Sequence, residues 1–412
     1  MRLEFFIARR LASAGGKPGA MVRIAEISVA LGVAVMIVTL AVIMGFKREV
    51  TRKIVGFGAH VVVTDTGSIH APDGEPVRRT PHLERLLRRT EGFVSMSPYA
   101  LKSGVVKTRD AVVGLLLKGV DASYDGTFFR ECLEEGELPR TGDSVRTKDL
   151  LVSRATADLL CAGVGDRVEM LFVGEDAAPR RDRFRISGIY RSGMEELDRT
   201  VALTDLRNVQ RLWDWDDDRV TGYEIRLDGL EGADGAARRL ELDLLYDEAG
   251  ETERLAAMSI RDRYPNIFDW LKAHDVNAAV IIGIMLLVAL FNMASALLIL
   301  VLERTRMVGL LKTMGMRDGA VQRIFLWRAA FIVLRGLAWG NAAGLALCLV
   351  QQGWHVAKLS AEGYMLSEVP VALSWSWWLP LNAGAVAAIV LLLALPARVV
   401  STVGPDEAIR YE

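Results

Sequence analysis

Cysteine and histidine are scarce in this chain of 412 residues. The three cysteines are Cys132, Cys161 and Cys348, and the five histidines, His60, His70, His82, His274 and His355, are scattered. No two histidines stand at the spacing of a His-Glu-x-x-His helix and no cysteines at a zinc-binding interval, which excludes those metal centres. No Gly-x-Ser-x-Gly elbow occurs, so the corresponding hydrolase arrangement is excluded too. Gly16-Lys17 is followed by Pro18 and lacks the upstream glycine of a phosphate-cradling loop, so the chain does not by itself hold ATP in that way. Charge of one sign is also lacking, with 50 Lys+Arg against 51 Asp+Glu, and nothing here suits a nucleic-acid partner. The acidic run Asp214 to Asp218 around Trp215 has neither the alternation nor the closing Glu of a calcium loop and reads as a solvated turn. No repeat of 20 to 50 residues emerges.

What the chain does have is a segregation of charge. Between Lys47 and Asp275 lie 35 of the basic and 42 of the acidic side chains, a net −7, which leaves 15 and 9, a net +6, for everything else. Outside that block are four charge-poor apolar stretches. Ile27 to Phe46 and Val276 to Leu302 carry no charge, Ile324 to Val350 contains Arg328 and Arg335, and Ser374 to Ala397 carries Pro380 and Pro396. Each is long enough to cross a hydrocarbon core of about 30 Å as a helix, and helices are the structures that satisfy their own backbone in lipid. Arg335 is expected to snorkel towards the cytoplasmic interface.

The fold expected is therefore an α-helical membrane protein with four transmembrane helices and a large α/β extracytoplasmic domain inserted between helices 1 and 2. Its divisions are a cytoplasmic amphipathic segment at 1–23, spans at 24–46, 276–302, 324–350 and 374–397, the large domain at 47–275, a cytoplasmic loop at 303–323, a short outer loop at 351–373 and a cytoplasmic tail at 398–412. Orientation follows the basic flanks: Arg2, Arg9, Arg10, Lys17 and Arg23 precede the first span, Arg304, Arg306, Lys312, Arg317 and Arg323 follow the second, and only Lys358 separates the third and fourth. Both termini are then cytoplasmic. Trp270, Trp354, Trp375, Trp377 and Trp378 fall at the outer interfaces, where tryptophan is enriched. A retained anchor fits the first apolar run better than a signal peptide, because the run is long and lacks a small-x-small cleavage site. Ahead of it Leu3, Phe6, Ile7 and Leu11 share one helical face, as in an interfacial helix.

Within the large domain, strand-like composition marks Ala59–Thr64, Ser103–Thr108, Ala111–Val120, Arg167–Val173, Arg183–Tyr190 and Gly222–Leu227. Helical segments are expected at Pro81–Thr90, Arg154–Cys161, Thr204–Leu212 and Ala236–Leu245, and two subdomains suit the length better than one. Cys132 and Cys161 both lie there; a disulfide and two separate thiols each fit.

The most informative segment is the cytoplasmic loop. In it Met307, Leu310, Leu311 and Met314 recur at i, i+3, i+4 and i+7, one face of a short helix, and Gly315 is its stop signal. A basic helix tethered to two spans suits docking into a partner's groove; lying on lipid headgroups is the other use of the same pattern.

Here the residues carry a resemblance. Glu303-Arg-Thr-Arg-Met-Val-Gly-Leu-Leu-Lys-Thr-Met-Gly-Met resembles the E-R-T-R-E-I-G-I-L-K-A-L-G-A signature of the MacB/FtsX-type ABC transporter permeases. The run from Leu31 through Met44-Gly-Phe-Lys-Arg-Glu49, the pair Phe291-Asn292 and the tail Pro405-Asp-Glu-Ala-Ile-Arg-Tyr-Glu412 are similar to the lipoprotein-releasing (Lol) branch. The resemblance implies a MacB-like periplasmic core with an inserted β-rich part near 120–200, in the inner membrane of a Gram-negative bacterium. It implies as partners two copies of a cytoplasmic ABC ATPase, which would bind the ATP and Mg so that this chain needs no cofactor, a second permease subunit, sister or identical, lipoprotein cargo and a periplasmic carrier. The stretch Val173 to Phe184 is shorter than the family's carrier-recruiting hairpin. Contact with the ATPase would fall to Glu303, Arg304, Arg306, Met307, Gly309, Leu310, Leu311, Lys312, Met314 and Gly315. The cargo's lipid would lie against Val42, Ile43, Met44 and Phe46 of the first span and Ile284, Leu287, Val288 and Phe291 of the second. Exporters of small hydrophobic molecules or peptides, and FtsX-like regulators of an extracytoplasmic enzyme, share the topology and are the alternatives.

Overall fold

The computed structural model describes residues 5–7, 20–69, 75–107, 112–142, 146–173, 179–247, 252, 254–303, 305–359, 366 and 368–397. Most of the amino-terminal amphipathic segment, Arg304, the tip of the 173–184 hairpin and the tail 398–412 lie outside them. The chain divides into a helical unit, Met1–Arg48 with Trp270–Lys358 and Glu368–Glu412, and a sheet unit, Glu49–Asp269 with Leu359–Ser367.

Four long helices fall on the four apolar stretches: α1 (Ala20–Phe57) and, later in the chain, Pro265–Glu303, Asp318–Trp354 and Trp375–Ala397. Those over Val22–Phe57, Pro265–Ser295 and Asp318–Trp354 are long and apolar enough to cross a membrane. Their ends overrun the spans read from hydropathy: α1 continues eleven residues beyond Phe46. Lys47, Arg48, Glu49, Arg52 and Lys53 end the apolar run but are good helix formers, so change of solvent and change of structure do not coincide.

In the sheet unit, chain order runs β1 (Val61–Asp65), β2 (Val77–Arg78), α2 (Pro81–Leu87), β3 (Phe93–Lys107), β4 (Val112–Val120), α3 (Thr127–Glu131), β5 (Leu133–Gly136), β6 (Asp149–Ser153), α4 (Arg154–Leu160), β7 (Arg167–Val173) and β8 (Pro179–Tyr190). Then come α5 (Glu195–Asp198), β9 (Val201–Asp205), α6 (Leu206–Leu212), β10 (Arg219–Val220), β11 (Gly222–Leu227), α7 (Ala233–Leu245), β12 (Leu255–Ser259) and α8 (Ile260–Arg263). The six expected strands and four expected helices are all present, Arg167–Val173 and Gly222–Leu227 with the expected ends and the others with shifted ones. The sequence pattern does not mark Val77–Arg78, Leu133–Gly136, Asp149–Ser153, Val201–Asp205, Arg219–Val220 or Leu255–Ser259; Asp149–Ser153 and Val201–Asp205 are five-residue strands buried throughout, too short for alternation to show.

The sheet order is β12-β1-β11-β3-β4-β9-β6-β8-β5, with β7 pairing both β8 and β3. Only β4–β9 and β6–β8 are parallel among these pairings. Since β3, β4, β9, β6, β8 and β7 each pair with the next and β7 returns to β3, these six strands close a ring, which leaves no open edge among them. Residues 120–200 contribute β5 to β8, so they join the sheet that also carries β1 and β11. Leu117, Leu150, Val152, Met170, Phe172, Phe184 and Ile186 fill its core. Fully buried Lys118 on β4 donates to the Phe57 carbonyl at the end of α1, 2.7 Å, and to Glu224 Oε1, 2.6 Å. A cation there satisfies a terminal helix carbonyl; burial pulls the ammonium below the ordinary lysine range, against the opposing pull of Glu224.

Candidate functional site

In the helical unit the remaining elements are α9 (Pro265–Glu303), α10 (Thr305–Thr313), α11 (Asp318–Trp354) and α12 (Trp375–Ala397). A seam of small residues fixes α11 on α1. Gly336, Gly340 and Gly344 recur every fourth position, and a Cβ on Gly340 would stand 2.6 Å from the Ala30 carbonyl oxygen and 2.8 Å from Val33 Cβ. Small residues at this spacing let helices approach closely in lipid. The spacing is visible in the sequence, but the helix it faces is not. Polar pairs complete the packing: Asn341 Nδ2 donates to Asn382 Oδ1 on α12, 2.7 Å, and Asn292 Nδ2 on α9 donates to Ser28 Oγ on α1, 2.6 Å. Arg335 has a charge partner on α1. Its Nη1 lies 3.6 Å from Glu26 Oε1 on α1, a charge partner that hydropathy alone does not reveal.

On this frame sits α10. Val308 is fully buried in the cluster formed with Val29, Val33 and Met36 of α1 and Phe325 and Ile332 of α11, and Met307 packs against it. Gly309 is buried as well, and Lys312 reaches Asp318 Oδ1 at 3.0 Å. The expected stop at Gly315 is there, at φ +88°. The Met316 N–H bonds the Leu311 carbonyl at 3.0 Å and the Gly315 N–H bonds that of Lys312 at 2.9 Å, the paired bonds of a Schellman cap that closes the helix carbonyls. The apolar face is split. Met307 and Leu311 are half-buried, whereas Leu310 and Met314 are 62% and 68% exposed. Glu303 is exposed, Arg304 lies outside the described residues, and Arg306 falls in the first turn of α10. Because the buried and exposed sides differ by about a third of a turn or more, one side holds the helix to the spans and the other faces outward.

Along α9 the residues expected to meet lipid form one stripe: Ile284, Leu287, Val288 and Phe291 are all exposed, in line with Val276 and Val280. The opposite face buries Ala278, Ala289 and Met293. From α1 only Met44 is exposed; Val42 and Ile43 are half-buried. Phe46 is buried, its ring 5.2 Å from that of Trp270 and 5.8 Å from that of His274, so it packs inside the unit instead of facing an open surface. Among the described residues no group of three His, Cys, Asp or Glu side chains could hold a metal ion, and Cys132, Cys161 and Cys348 are all free thiols.

Comparison with known proteins agrees with this architecture. The model described as "MacB-like periplasmic core domain" matches residues 24–241 and that described as "FtsX-like permease C-terminal" matches residues 279–405. The lipoprotein-releasing system transmembrane protein LolC of Neisseria meningitidis is 26% identical over 438 residues, covering 100% of this chain and 99% of its own length. LolC of Xylella fastidiosa is 23% identical over 403 residues, covering 94% and 92%, and LolE of Haemophilus influenzae is 25% identical over 399 residues, covering 91% of each. Among solved structures, the periplasmic region of MacB from Actinobacillus actinomycetemcomitans matches 52% of this chain and 95% of its own, at 14% identity and a TM-score of 0.35. With one family model matched over more than half of its length and a second over the helices that follow, the chain belongs to the MacB/FtsX-type permease family and resembles its lipoprotein-releasing members.

Proposed function

We propose that this chain is the permease subunit of an ATP-driven transporter that extracts lipoproteins from a bacterial inner membrane and releases them towards a periplasmic carrier. It spans the membrane four times with both termini in the cytoplasm, pairs with a second permease, sister or identical, and binds two copies of a separate ATPase that holds the ATP and Mg. The chain itself performs no chemistry. The observation that carries this reading is α10: a capped helix held to the spans by Val308, with Leu310 and Met314 turned outward. Two large apolar side chains one turn apart suit a partner's groove. Through Val308, a push on that face is delivered to the packing of α1 against α11. The extracytoplasmic domain then closes on the lipid-anchored cargo, whose acyl chains run along the stripe on α9.

Leu310→Asp or Met314→Asp would bury an unpaired carboxylate at the ATPase contact, a loss of about 3–5 kcal/mol where the contact is fully desolvated. In the reconstituted complex these variants are expected to lose lipoprotein release while the ATPase still hydrolyses ATP. Undiminished release in both would sink the coupling assignment.

A further inference from the structure

The sheet unit holds a concave site that the transport cycle above does not use. A cleft of about 440 Å³ opens where the first residues of β6 and β7 meet the middle of β8, lined by Arg140, Lys148, Asp149, Arg167, Arg183 and Arg185. Five cations face one carboxylate there, in a block of sequence whose own balance is −7. The cleft is therefore opposite in sign to the domain that carries it.

Its construction is specific. Asp149 is 3% exposed and holds two guanidinium groups, Arg185 Nη2 at 2.9 Å and Arg140 Nε at 3.3 Å. Burial by itself would push this carboxyl up, but the hydrogen bonds from Arg185 and Arg140 outweigh it and hold the group below the ordinary aspartate range. One buried anion thus orients two forks and neutralises one of them. Arg167 and Arg185 are direct partners in the β7–β8 register, and like charges placed opposite each other across a ladder are unfavourable. Arg185 is compensated by Asp149; Arg167 has no ion-pair partner among the described residues. Arg183, on the same face of β8, stands 3.6 Å from Glu169, and Lys148 is paired with Asp182. Positive charge remains in excess after every pairing.

We propose that this cleft binds a phosphate-bearing anion, with the guanidinium groups of Arg140 and Arg185 taking its oxygens and Arg167 completing the charge balance. Planar guanidinium groups match phosphate geometry two bonds at a time, and the volume suits a diphosphate or a lipid headgroup. The concave shape favours such a small group over the flat acidic surface of a protein.

The test is calorimetric titration of the full chain, in nanodiscs of phosphatidylcholine alone, with inorganic pyrophosphate, dihexanoyl phosphatidylglycerol and dihexanoyl phosphatidylcholine. Pyrophosphate or the phosphatidylglycerol should bind, the phosphatidylcholine should not, and added salt should weaken the binding. Arg167→Gln, which removes a side chain without an ion-pair partner and so leaves the fold intact, should weaken binding about tenfold, the worth of a charge-assisted hydrogen-bonded contact. Arg185→Gln should do the same. Tighter binding of the phosphatidylglycerol would identify a headgroup as the natural source, and tighter binding of pyrophosphate a soluble phosphate. No binding of either anion, or binding unchanged in both variants, would overturn the proposal, as would retention of an acidic protein by a cleft that ignores phosphate.

Discussion

Gly340 shows how little room one residue is given. With the Ala30 carbonyl and Val33 Cβ already within van der Waals reach of a missing Cβ, Gly340→Val must push α11 off α1, a strain of about 1–3 kcal/mol for an overpacked contact. Thermal unfolding of the purified chain should show that loss, and a midpoint equal to the parent's would remove the seam from the account. The seam was legible, since glycines 336, 340 and 344 repeat in an apolar run; which helix they face was not. At Asp149 the effect is electrostatic. The unfolded carboxyl titrates near the ordinary value of about 4, while the native one is held lower by Arg185 and Arg140. Its stabilisation is therefore present above that ordinary value and lost as pH falls through the native one. Arg185→Gln should move acid unfolding of the sheet unit to higher pH, followed by the fluorescence of Trp213 and Trp215, whose rings stack at 5.3 Å. An unmoved midpoint would contradict the pairing.

Among the elements, α9 carries the clearest surface. Exposed side chains from Val276 to Phe291 follow helical spacing on one side, while Ala278, Ala289 and Met293 are buried on the other. Hydropathy could mark the span but could not choose its faces, because a helix apolar all round has no moment to read. A photo-crosslinker in place of Phe291 is expected to capture lipoprotein in the nucleotide-free complex and to release it when ATP is added. Adducts confined to the second permease and indifferent to ATP would give the stripe to permease pairing instead. On α10 the periodicity was legible and its division was not: Met307, Leu310, Leu311 and Met314 look alike in sequence, and only the burial of Val308 decides which side turns outward.

For the whole molecule, the proposed orientation is open to a direct measurement. With Cys132 and Cys161 replaced by Ser, since Cys161 is exposed, a cysteine at Asp216, whose side chain is 84% exposed, should react with an impermeant thiol reagent on intact spheroplasts. A cysteine at Asp318 should react only after permeabilisation. Labelling of Asp318→Cys from outside would invert the topology.

The sequence by itself determined where this chain changes solvent: lipid excludes unpaired charge, so the charge-poor runs and the charged block between them could be read without any fold. It also determined the stop of α10, because a left-handed cap is best met by glycine. Contacts between segments far apart in the chain were decided by the tertiary structure. The closure of β7 on β3, the pairing of Glu26 with Arg335 and the collection of Arg140, Arg167 and Arg185 around one cleft join residues whose local patterns say nothing of one another. Hydrophobic periodicity reports the face a segment buries, and only packing chooses the partner it is buried against.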